Sequence, residues 1–91
     1  MIYVIKILKR RLMSPTVFKE GAYRFFFYSN EEPRVHVHVK NSKGEAKFWL
    51  EPIVALAKST NLSPGELNKI KAIVEERAGE IKKAWKEHIG S

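Results

Sequence analysis

The chain has 91 residues, of which 44% are hydrophobic and 30% charged, with a net charge of +7 and no cysteine. That length supports one domain with a modest core, the composition is that of a folded chain and not a disordered one, and without cysteine there is no disulfide framework and no thiol chemistry. No apolar run reaches the ~18 residues of a membrane span, and the first segment has its basic residues after its apolar ones, so neither a membrane span nor a secretory signal is expected and a cytoplasmic address is.

The charge is unevenly placed. Residues 1–12 hold Lys6, Lys9, Arg10 and Arg11 and no acid, for +4, while the other 79 residues hold 13 basic and 10 acidic side chains, for +3. A basic chain points to polyanionic partners, but more than half of this excess belongs to a short N-terminal piece. Within it, Ile2 to Leu8 is apolar and β-branched enough for a short strand and too short for an independent helix.

Thr16 to Lys19 reads as a strand, and Glu20-Gly21-Ala22 as a turn. Tyr23 to Tyr28 is a strand whose alternation sends Tyr23, Phe25 and Phe27 to one face and Arg24, Phe26 and Tyr28 to the other. After the turn-rich Ser29 to Pro33, the stretch Arg34 to Lys40 alternates strictly. Val35, Val37 and Val39 line one face; Arg34, His36, His38 and Lys40 line the other, which is expected to stay wet. Asn41 to Gly44 is a hairpin connection. Glu45 to Leu50 then places Ala46, Phe48 and Leu50 opposite Glu45, Lys47 and Trp49. Pro52 interrupts, and Ile53 to Ala57 reads as a last edge strand.

The helix start is well marked: Ser63 as N-cap, Pro64 in the first helical position and Glu66 completing a capping box. Leu67, Ile70, Val74, Ala78, Ile81, Trp85 and Ile89 follow at spacings of three and four, one helical stripe. The expected architecture is therefore α+β, a small antiparallel sheet of three to five strands covered on one face by a single long C-terminal helix from about Pro64 to His88. Near that helix end, His88 is expected to interact with the dipole and the last carbonyls.

The uncovered face is where a site is expected. Arg24, Tyr28, Lys47 and Trp49 share it with His36 and His38, and aromatic and basic groups together suit the stacking of bases and the neutralisation of phosphates. Three readings of the histidines follow. As a general acid–base pair on RNA, His36 and His38 would be catalytic, with Arg24 or Lys47 stabilising the phosphorane. As metal ligands they would need a third group such as Glu45 or Glu51, and no Cys/His spacing motif supports this, so no metal or cofactor is expected. As polar residues of a solvated or partner-covered sheet they would do no chemistry.

Four stretches in order, Pro15-Thr16-Val17-Phe18, Tyr23 to Ser29, His36-Val37-His38-Val39 and Ala46 to Pro52, resemble an uncharacterised family of small prokaryotic proteins, a domain of unknown function. The resemblance runs from about Met13 to the end, so residues 1–12 read as a basic extension or a start assigned too early, with 13–91 as the domain. Deleting residues 1–12 is then expected to leave the fold intact. The resemblance implies a toxin–antitoxin-type component, often encoded beside another small protein, and brings no catalytic residue with it. The functional expectation is such a component contacting RNA or DNA through the uncovered face, ribonuclease-like in its strongest form. The alternative is a non-catalytic interaction module, an antitoxin or partner subunit bound to the neighbouring gene's product.

Overall fold

The computed structural model describes residues 16–28 and 32–90. The strand expected over 2–8, the basic segment 1–12 and loop residues 29–31 lie outside the described residues. Five strands, β1 (Thr16–Glu20), β2 (Tyr23–Phe26), β3 (His36–Lys40), β4 (Glu45–Trp49) and β5 (Ala55–Thr60), form one antiparallel sheet in sequence order. Short connections between successive strands leave each strand no nearer partner than its chain neighbour.

Alternation sorts the side chains as expected. Phe25 pairs with Val39, Val37 with Phe48, and Val39 with Ala46. All of these are buried in one core with Phe18, Tyr23, Phe27 and Leu50, against Ile70, Ile73, Val74, Ile81 and Trp85 of the helical segment. The rings of Phe18 and Phe25 stack across β1 and β2 at 4.4 Å. The last strand begins later than its apolar residues suggest. The bend Glu51–Ile53 follows β4, leaving Ile53 71% exposed, and ladder pairing resumes only where Ala55 meets Trp49.

The single long helix is corrected to two, α1 (Pro64–Glu76) and α2 (Ala78–Gly90). The capping box at the start of α1 forms as its sequence directs: the Ser63 hydroxyl accepts from the Glu66 amide, and the Glu66 carboxylate accepts from the Ser63 amide, both at 3.1 Å. The break falls at Arg77, which leaves helical geometry at φ −107°, ψ 21°. Its guanidinium lies 3.4 Å from the centroid of the Phe18 ring, donates to Glu20 on β1 and forks onto Glu80 at 2.9 Å. Arg77 is thus committed to the sheet while the chain around it turns. The turn lets Trp85 touch both Phe27, at 5.3 Å, and His36, at 4.8 Å. No helix among the described residues is long and apolar enough to cross a membrane.

The hairpin between β3 and β4 is fixed from within. The Asn41 side-chain carbonyl accepts from the Lys43 and Gly44 amides, at 2.8 and 3.0 Å, and its amide group donates to Glu66 at 3.2 Å. Gly44 sits against the end of β5 so closely that a Cβ there would lie 2.0 Å from the Thr60 carbonyl oxygen.

Candidate nucleic-acid interface

The ladder places the expected site residues as cross-strand neighbours on one face. Arg24 pairs with Lys40, Phe26 with His38, His38 with Lys47, and His36 with Trp49. Their rings are contiguous. Tyr28 meets His38 edge-on at 4.4 Å, His38 lies 5.1 Å from His36, and His36 lies 5.6 Å from Trp49. All six residues named from the sequence are brought together.

The centre of that face is not wet. His36 and Phe26 are fully buried, and His38 is only 7% exposed. The Nδ1 of His36 lies 2.6 Å from the Arg34 carbonyl oxygen; a carbonyl only accepts, so Nδ1 carries the proton and donates. Sandwiched between Trp49 and Trp85, His36 is positioned as a packing group. His38 Nδ1 is 3.7 Å from the Glu45 carboxylate, which also accepts from the Tyr28 hydroxyl at 2.9 Å. Glu51, the other carboxylate considered as a metal ligand, lies beside Lys82 at 3.9 Å. Among the described residues no three His, Asp or Glu side chains converge on one point. His88, expected to serve the end of its own helix, is turned toward the sheet. Its Nε2 donates to the Tyr28 carbonyl at 3.1 Å, and its ring lies on Phe27.

The cations split into two groups. Some lie on the aromatic layer: Arg34 and Lys47 over Trp49 at 4.2 and 4.4 Å, and Arg24 over Phe26 at 4.6 Å. Lys47 is buried and paired with Glu32. That hydrogen bond holds the Glu32 carboxyl below the usual carboxylate range. The others are exposed at the hairpin end of the sheet: Lys19, Lys43, Lys58 and Lys40, whose ammonium also lies 5.5 Å from the centroid of the Phe26 ring. Of these the sequence reading placed only Lys40 on this face, and it did not count it as a site residue. Lys58 was missed because Ala55–Thr60 lacks apolar alternation, so the strand was expected to stop at Ala57. Lys43 was missed because it is a turn residue.

A family model for a domain of unknown function, DUF4160, matches residues 22–86. The chain belongs to the DUF4160 family. The match takes in β2 to β5, both strand histidines and most of the helical segment, and it leaves β1 outside. It agrees with the family-level resemblance carried by the sequence motifs and brings no toxin–antitoxin role to the DUF4160 domain. The comparisons with curated proteins and with solved structures each returned no match.

Proposed function

We propose that this DUF4160 domain is a non-catalytic module that contacts a single strand of RNA or DNA through the histidine face of its sheet. The observation that carries the reading is the cation row. Lys19, Arg24 and Lys40 follow one another across β1, β2 and β3 by ladder pairing, and Lys58 stands opposite Lys47 on β4 and β5. Four interstrand spacings of ~4.8 Å make the row about 19 Å long. Glu45 is the acid within it on the paired strands, and it is already engaged by Tyr28. Elsewhere the exposed lysines of α1 and α2 alternate with Glu75, Glu76, Glu80 and Glu87, a mixed surface with no such field. Single-strand binders combine a basic groove with accessible aromatic groups, and Tyr28, 40% exposed, lies beside the row.

The ribonuclease form of this reading is weaker. A general base must reach the proton it removes, whereas His36 is fully buried and enclosed by Trp49 and Trp85. The test is amide chemical-shift mapping during titration with a short single-stranded RNA. Shifts clustered on Lys19, Arg24, Lys40 and Lys58 are expected. Shifts confined to the helix lysines Lys71, Lys82 and Lys86, or none at all, would refute the proposal.

A further inference from the structure

Between the β3–β4 hairpin and the end of β5 lies an open cleft of about 550 Å³, lined by Lys40, Lys43, Lys47 and Lys58, with Glu45 as its one acid and Thr60 among its hydroxyls. We infer that this cleft seats a nucleotide by its terminal phosphomonoester, so that the interface holds a strand end in addition to tracking a strand's length. The inference rests on the reading of this face as a nucleic-acid interface and adds where the strand stops.

Three features support it. The first is charge. Lys47 is offset by direct contact with Glu32, whereas among the described residues no carboxylate is in ion-pair contact with Lys40, Lys43 or Lys58. The nearby acids, Glu45 opposite Lys40, Glu66 in the field of Lys43 and Glu32 in that of Lys58, act on them only at a distance. Glu45 is held by the Tyr28 hydroxyl and lies next to His38. A dianionic phosphomonoester meets three exposed ammonium groups there, whereas an internal phosphodiester brings half that charge. Lysine suits this task as a mobile point charge.

The second is size. Small-molecule and cofactor sites occupy clefts of roughly 300–1,000 Å³, so the space is large enough for more than a bare anion.

The third is rigidity. The hairpin wall is fixed by the Asn41 side chain, which caps two of its amides and bonds to Glu66 at the start of α1. The same wall meets the opposite one through Gly44, where no side chain intervenes before the Thr60 carbonyl. A preorganised cleft loses little entropy when a ligand enters.

The experiment compares the full chain's affinity for the dinucleotide pUpU, its unphosphorylated counterpart UpU, and UMP, by titration at low salt. The expected result is binding of pUpU at least tenfold tighter than UpU. The double variant Lys43→Ala, Lys58→Ala should erase that difference, and Lys71→Ala, on α1 and outside the cleft, should preserve it. All three side chains are on the surface, and circular dichroism checks that the variants remain folded. UMP binding much weaker than pUpU would assign the cleft to a strand end, and equal binding to a free nucleotide; either sustains the phosphate seat. Equal affinity for pUpU and UpU, or a phosphate preference that survives the double variant, would overturn it. If long RNA still bound in that case, the interface would stand and the cleft alone would fall. If pUpU bound through these lysines but longer strands gained nothing, the cleft would stand and the cation row would fall.

Discussion

Replacing Gly44 by alanine tests the packing on which the interface depends. The added methyl carbon would sit 2.0 Å from the Thr60 carbonyl oxygen and 2.7 Å from that of Asn61. Ordinary contact begins at 3.4 Å, so the hairpin and the end of β5 must separate by about 1.4 Å. Both obstructing atoms are backbone, and no side chain can rotate aside to relieve them. Overpacking of this kind costs roughly 1–3 kcal/mol. The separation also pulls on the Glu45–Thr60 pairing that ends the β4–β5 ladder, and losing one such hydrogen bond costs about 1 kcal/mol. Gly44→Ala should therefore destabilise by roughly 2–4 kcal/mol, which lowers the melting temperature of a domain this size by roughly 8–32 °C. The control is Gly79→Ala, where nothing lies within 4 Å of the new carbon and α2 should gain up to about 1 kcal/mol from better helix propensity. Urea unfolding of both variants reads the two effects. A Gly44→Ala protein as stable as the parent would mean that the hairpin does not close on β5, and the preorganised cleft would go with it.

His36→Ala should cost about 2–4 kcal/mol in urea unfolding, since it empties a fully buried site and leaves the Arg34 carbonyl without its donor, while RNA affinity per folded molecule stays within twofold; unchanged stability would contradict the structural role assigned to it. Arg77→Ala should lower the urea midpoint by removing the stacking on Phe18 and the bridge between Glu20 and Glu80, and Arg77→Lys should recover less than half of that loss in the same assay. Glu32 is held below the ordinary carboxylate value of 4.5 by its hydrogen bond to Lys47, and Glu66 by the bond from the Ser63 amide. Both therefore bind protons more weakly in the folded state than in the unfolded one, and the stability they contribute is present above about pH 4.5 and lost as pH falls through their folded values. Glu66→Gln keeps an acceptor for the capping box, so its urea midpoint should fall less between pH 5 and pH 3 than the parent's.

The sheet was legible because its strands alternate. Val37 and Phe48, Phe25 and Val39 met as their periodicity required, and the same rule gathered Arg24, Tyr28, His36, His38, Lys47 and Trp49 on the other face. Burial of the histidines was not legible, because period 2 assigns a side but says nothing of what lies over it. The contact between His36 and Trp85 joins β3 to a helix 49 positions later, and no local pattern encodes it. The stripe from Leu67 to Trp85 keeps its helical spacing straight through Arg77, so the sequence read one helix where there are two. What breaks it is a tertiary arrangement, a guanidinium drawn onto Phe18 and Glu20 of β1, and Gly79, the residue that looked weakest, is not where the break falls. Lys43 and Lys58 escaped the sequence reading for a related reason: turns and apolar-poor edge strands carry no periodicity to orient their side chains.

The central claim is that exposed cations on the sheet bind a nucleic-acid backbone, and its most direct test is the salt dependence of that binding. Fluorescence anisotropy with a labelled single-stranded RNA of about 20 nucleotides, between about 50 and 200 mM salt, should give log affinity falling against log salt with a slope of roughly −2 to −3.5, as expected for three to five neutralised phosphates. The triple variant Lys40→Ala, Lys43→Ala, Lys58→Ala should reduce that slope by about 2. A slope near zero for the parent protein, or an undiminished slope in the triple variant, would contradict the assignment of this face to nucleic acid.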